Sequence, residues 1–273
     1  MNRCLHQTFS VLVILLAITA CVLPGQTAQP QAVQPTAGID SKAIATAVAG
    51  TAQAAATQTA SADLFAPGQT GTAVEQLSDG TTKYIDYDGG FEIIYPVGWL
   101  AVRPNSEEFD AALKKQGAAN AMLYDQMTLD QSNYDPSFDR LFCYIVRPDI
   151  EKNIIFGFSK LAWDPADGLS IDSITMGELV KELEAPDGIP GFRADTAQLH
   201  EDTSIKMIEI GGHWTTNDDQ GNPASFYSVG IFFKPSSDST ARLLFTFVND
   251  YRAQISPDVK SIIASIRIIE PGQ

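Results

Sequence analysis

The chain has 273 residues, 44% of them apolar, which is enough for one sizeable core with extensions. Its formal net charge is −15 and its 18 Lys and Arg residues are scattered without a basic run, which argues against nucleic-acid binding, since neutralising phosphates needs a basic stripe. The same acidity favours solubility and provides no electrostatic hold on anionic lipid.

Residues 1–20 have three parts. Arg3 makes a positive start, Phe9–Ala20 (FSVLVILLAITA) is an apolar run of twelve, and the small residues Thr19 and Ala20 precede Cys21. That order predicts a secretory signal peptide, and the run is shorter than the roughly 20 residues of a membrane-spanning helix. The ending Ile18-Thr19-Ala20-Cys21 resembles the lipobox of bacterial lipoproteins. The resemblance implies that the Cys21 thiol takes a diacylglyceryl group and, after cleavage before it, becomes an acylated N-terminus of the palmitate type. Two or three acyl chains hold a protein stably on a membrane, because each buried methylene contributes about 0.8 kcal/mol. The expected location is therefore the extracytoplasmic face of a bacterial cell membrane. The other cysteines, Cys4 and Cys143, make no disulfide framework with it; Cys143, in the alternating run RLFCYIV, reads as a small core residue.

Residues 21–80 are rich in Pro, Gln, Thr, Ala and Gly, with Phe65 the single aromatic. Such a stretch cannot bury enough apolar surface to offset chain entropy and is expected to be a linker. A fraying helix between Ser41 and Ala62 fits its alanines, but Ile44 and Val48 supply only one turn of seam, too little for a coiled coil. As a flexible coil the segment spans about 40 Å, enough to clear a lipid surface.

The expected globular domain is residues 81–273. Ile85, Tyr87, Phe91, Ile93 and Tyr95 alternate about Asp88-Gly89-Gly90, predicting a β-hairpin that Pro96 ends, with Trp99 packed beyond it. Phe109, Leu113, Met122, Leu123 and Met127 have helical spacing, in one or two helices broken near Gly117. RLFCYIVRP and NIIFGFSKLAW read as strands joined by DIEKN. DSITMGELVKELEA reads as a helix capped by Asp172 or Ser173, with Met176, Leu179, Val180 and Leu183 along one face. RADTAQLH, IKMIEIGGHWTTND, ASFYSVGIFFK and ARLLFTFVND are expected strands, and a last helix is expected from Ser256 with Pro257 at its first position. Short hairpin turns without regular βαβ alternation predict an α+β class, a mainly antiparallel sheet with helices on both faces.

Two stretches carry a resemblance. GGFEIIYPVGW (Gly89–Trp99) is similar to the opening hairpin of PsbP-like domains, and LLFTFVNDYRAQISPDVKSIIASIRI to their last strand, helix and terminal segment. The resemblance implies a three-layer α/β/α sandwich around an antiparallel sheet and a role in binding without catalysis. The matching residues are structural, so it carries no functional residue over.

The chemistry-bearing residues are sparse. After the signal peptide only His200 and His213 remain, and no metalloprotease, nucleophile-elbow, P-loop or Rossmann spacing occurs. His213, beside Trp214, reads as a strand histidine, with ligand binding as the sharper alternative. TNDDQGN, with Asn217, Asp218, Asp219 and Asn222, lacks the acids of a calcium loop and has full turn chemistry. Asp164, Asp167 and Asp172 read likewise as loop residues. Trp99, Trp163, Trp214, Phe226 and Tyr227 are expected in the core. No catalytic residue, metal ligand or cofactor is expected. The function expected is that of a membrane-anchored, non-catalytic binding module for a protein or envelope component. The alternative is a small-molecule- or metal-binding lipoprotein that serves a transporter.

Overall fold

A computed structural model describes residues 70–117, 119–147, 157–201, 205–217 and 221–269. The expected signal peptide, Cys21, residues 22–69 of the expected linker, the DIEKN turn and residues 218–220 of the acidic turn lie outside the described residues.

Among the described residues, eleven strands, all paired antiparallel, make two sheets. The smaller has the order β1 (Thr72–Gln76), β2 (Thr82–Asp86), β3 (Phe91–Tyr95), β11 (Arg267–Ile268). The larger runs β4 (Trp99–Val102), β5 (Asp139–Ile145), β6 (Gly157–Asp164), β10 (Ser239–Val248), β9 (Pro223–Ser236), β8 (Met207–Asn217), β7 (Arg193–His200). Four helices complete the described fold: α1 (Glu107–Gly117), α2 (Ala121–Ser132), α3 (Ser173–Glu184) and α4 (Arg252–Ser265).

Strand alternation sorts the side chains. One face of the large sheet sends Leu141, Leu161, Ile231, Phe233, Leu243 and Phe245 into the main core, where Tyr84, Phe91, Ile93 and Tyr95 of the small sheet and Ile255, Val259 and Ile262 of α4 meet them. The other face carries two separate patches. Phe109, Leu123 and Met127 of α1 and α2 cover Phe142 and Tyr144, and Met176, Leu179, Val180 and Leu183 of α3 cover Ile208, Ile210 and Trp214. The result is the expected α+β sandwich, with one refinement: a second sheet shares one face with α4.

The β2–β3 hairpin turns at Gly90, whose φ of 70° suits glycine. Gly90 N donates to Asp86 O and Gly89 N to Asp86 Oδ1. Two expectations are corrected. The folded part begins before residue 81, because Thr72–Gln76, with the composition of the linker, pair with β2 as an edge strand. The last helix begins at Arg252 rather than Ser256, because the 3-10 turn Asn249–Tyr251 leads into it and Ile255 is drawn into the core. Pro257 thus lies inside α4, with Ser256 Oγ bonding back to Arg252 O.

Candidate polar cleft

Four segments distant in sequence meet at the edge between the two sheets and leave a cleft of about 270 Å³ with almost wholly polar walls. The loop from β4 to α1 is its floor. Pro104 precedes Asn105, the one non-glycine with positive φ (53°) among the described residues, a conformation that Asn tolerates better than most. Asn105 N donates to Gln131 Oε1 of α2. Ser106 then caps α1: its Oγ accepts from Phe109 N and donates to Arg103 O.

Arg103 staples the cleft. Its Nε donates to Glu108 Oε1 at 2.6 Å and its Nη2 to Glu108 Oε2 at 2.5 Å, a bidentate fork, while its Nη1 reaches Thr72 O of β1 at 2.8 Å. Burial pushes the Glu108 carboxyl up, but the hydrogen bonds and charge of Arg103 outweigh that and hold it below its ordinary value. The opposite wall is the start of β5. Asp139 accepts from Lys160 Nζ (2.8 Å) and Asp135 N (2.9 Å), and Arg140 sits at a register shift of β5 with its guanidinium 4.6 Å above the Trp163 ring. Arg140 Nε is buried without a hydrogen bond, 3.8 Å from Asp86 Oδ2, and its Nη1 is 4.0 Å from Asp88 Oδ2. Tyr134 and Thr72 complete the lining.

Three carboxylates, Asp139 of the cleft wall and Asp86 and Asp130 near it, are pushed by burial above their ordinary values. Asp86, wholly buried, accepts from Tyr84 Oη and Gly89 N. Asp139 is partly rescued by Lys160. Asp130 of α2 is pushed up to about 6, although Tyr144 Oη (2.7 Å) and Gln126 Nε2 (2.9 Å) donate to it.

The residues singled out in the sequence lie elsewhere. His213 and Trp214 fall on opposite faces of β8. Trp214 is buried under α3, stacked on Phe226 at 4.7 Å with its Nε1 donating to Ser228 Oγ, whereas His213 is exposed and its Nδ1 pairs with Asp195 at 2.8 Å. Asp195 also meets Arg252, whose guanidinium lies 3.6 Å over the Tyr227 ring. His200 pairs with Glu209. Trp99 packs edge-on against Phe245 in the core and donates to Asp258 of α4. The carboxylates of the WDPADGLSID loop take separate local duties: Asp164 accepts from Ala166 N, Asp167 pairs with Arg242, and Asp172 caps α3. Asn217 ends β8, and Gly221 turns with φ 80° between β8 and β9. Among the described residues, no three His, Cys, Asp or Glu side chains are grouped to hold a metal ion. Cys143 is buried in the core, which pushes its thiol well above its ordinary value. None of the cleft residues was singled out in sequence; the only local signal was the Arg-Pro-Asn-Ser run before α1.

No protein-family model and no curated protein matches the chain. In structure it is similar to PsbP (CyanoP) of the cyanobacterium Synechocystis sp. PCC 6803, with a TM-score of 0.43 and 11% identity over 76% of this chain and 97% of that one. It is also similar to the Ran-binding protein Mog1p of Saccharomyces cerevisiae (0.41, 9%, 71% and 97%) and to LpqN of Mycobacterium tuberculosis, which is involved in cell envelope biogenesis (0.37, 12%, 75% and 100%). Likeness at this level accords with the α+β architecture and assigns no ligand, partner or activity.

Proposed function

We propose that this protein is a lipid-anchored lipoprotein of the extracytoplasmic membrane face, whose domain is a non-catalytic binding module for a protein or envelope component. The anchor is lipid on Cys21, and residues 22 to about 70 are the tether. The segment Arg3, Phe9–Ala20, Cys21 supports the anchor. The observation that carries the binding role is the cleft, where groups from β1, the β4–α1 loop, the α2–β5 loop and β5 converge. Its openness favours a polar group projecting from a larger partner over a small molecule that must be enclosed on most sides.

Two measurements test this. In the full chain expressed in a bacterium, Cys21→Ser is expected to move the protein from the membrane to the soluble extracytoplasmic fraction and to block lipid-dependent processing. Unchanged fractionation and processing would overturn the anchor. A photo-crosslinking residue at Asn105, activated on intact membranes, is expected to capture an envelope neighbour that the same residue at exposed Ile174 does not. Equal capture at both positions would remove the cleft from the binding role.

A further inference from the structure

The state of the charges in the cleft bears on what it recognises. Arg103 is held on both oxygens of Glu108 and on Thr72 O. Asp139 is held by Lys160 and Asp135 N, and Arg140 lies between Asp86 and Asp88. Three cations thus face four carboxylates, inside a chain of net charge −15. An incoming phosphate or carboxylate meets no surplus positive charge, and its approach is opposed by the field of the whole protein. An incoming cation finds carboxylates that are already bonded, two of which burial drives toward the neutral form.

Neutral groups remain. Asn105, Thr72 and Tyr134, whose side chains carry an amide and two hydroxyls, line the cleft, and none of these polar groups has a hydrogen-bond partner among the described residues. Each of these groups both donates and accepts. They converge from three segments on one opening whose walls carry almost no apolar surface. A set of unengaged groups that donate and accept, beside quenched charges, matches a ligand that itself offers several vicinal donor–acceptor groups without net charge. We infer that the cleft binds a neutral polyhydroxylated ligand, the sugar of an envelope carbohydrate, through Asn105, Tyr134 and Thr72. This rests on the cleft being the binding site of the module.

The test uses the full lipidated chain in detergent on an array of immobilised neutral oligosaccharides, with phosphorylated and uronic-acid glycans alongside. Binding to a subset of the neutral glycans is expected, changing less than twofold between low and 0.5 M salt because no ion pair is screened. Asn105→Gly keeps the left-handed backbone and removes the amide. Tyr134→Phe keeps the ring and removes the hydroxyl. Each is expected to weaken binding about three- to tenfold, the effect of one neutral hydrogen bond, without shifting the melting temperature. Binding confined to the anionic glycans, binding lost in salt, or binding unchanged in both variants overturns the inference. So does an absence of glycan binding. In that case, capture of a protein by the crosslinker at Asn105 would leave the binding module standing and refute only its sugar ligand.

Discussion

At the scale of single residues, the buried carboxylates set how stability responds to pH. Burial raises Asp86, Asp139 and Asp130 above their ordinary values, the last to about 6, so the native state binds protons more tightly than the unfolded chain. Stability from these groups therefore grows as pH falls, for Asp130 through about 6, and is lost as pH rises again. For Asp130 alone the gain between pH 7 and pH 5 is about 1 kcal/mol. Glu108, Asp79 and Asp172 are held below their ordinary values and act in the opposite sense, losing stability at lower pH. With Asp130 the one large shift, stability is expected to be higher at pH 5 than at pH 7. Urea denaturation at pH 5 and 7 checks it. Asp130→Asn, which can still accept from Tyr144, is expected to flatten the difference between the two; an undiminished difference would place the proton elsewhere. Residue chemistry was only partly legible in the sequence. Asp86 stood in an alternating strand with no mark of burial, and Asp130 on a helix whose periodicity is weak. Their environment is built by Tyr84 and Tyr144, contacts that only the packed fold brings about.

At the scale of elements, local rules mostly held, and α3 shows why. Asp172 Oδ1 accepts from Ile174 N and Thr175 N, and the apolar stripe of the helix seats on β7 and β8. Asp172→Ala is expected to lower stability by about 1 kcal/mol, the usual cost of a lost N-cap. Ile174→Ser, two residues on at 73% exposure and leaving the capped backbone N–H in place, is expected to stay within about 0.5 kcal/mol. Paired thermal melts separate the two, and similar shifts would refute the cap. The strands of the large sheet were readable because an alternating pattern survives wherever one face is deeper than the other. The β7–β8 ribbon adds a local device: Gly212 lets the Phe192 ring and the Arg193 carbonyl lie where a Cβ would come within 2.4 and 2.3 Å of them. Strand β1 was not legible. TAVEQ has the composition of the linker, and its residues are only half-buried, so nothing in its pattern separates it from the chain before it. Helix α4 was located but started late, because Pro257 is also a common first residue and tertiary burial of Ile255 overrode that signal.

For the whole molecule, class and layering followed from pattern, whereas the division into two sheets did not. Chain order places β3 and β4 next to each other, three residues apart, yet they belong to different sheets, with Gly98 turning between them at φ 91°. The cleft lies where β1 of one sheet meets the β4–α1 loop and β5 of the other. Its walls come from positions 72, 103–106, 134 and 139–140, which no local pattern could associate. No motif marks the site, because the groups are ordinary and only their convergence is informative.

The place where the chain enters the domain also has a mechanical meaning. A pull from the N-terminal side arrives at Gly71, where Asp88 Oδ1 and Arg103 grip Gly71 N and Thr72 O, and passes into β1, which pairs with β2 alone. Thr72 faces Asp86 at the end of the hairpin away from its turn, so load applied there unzips the ladder one rung at a time instead of shearing all rungs together. β1 is thereby a fuse. In single-molecule pulling on the full chain, the first event is expected at low force, releasing the ten residues from 72 to 81, about 35 Å of chain. Arg103→Lys, which loses the fork and the reach to Thr72, is expected to lower that force while leaving the later, larger rupture of the seven-stranded sheet unchanged. A domain wired in this way yields at its edge first and takes one wall of its cleft with it; under the proposed anchoring, tension on the tether would therefore open the cleft.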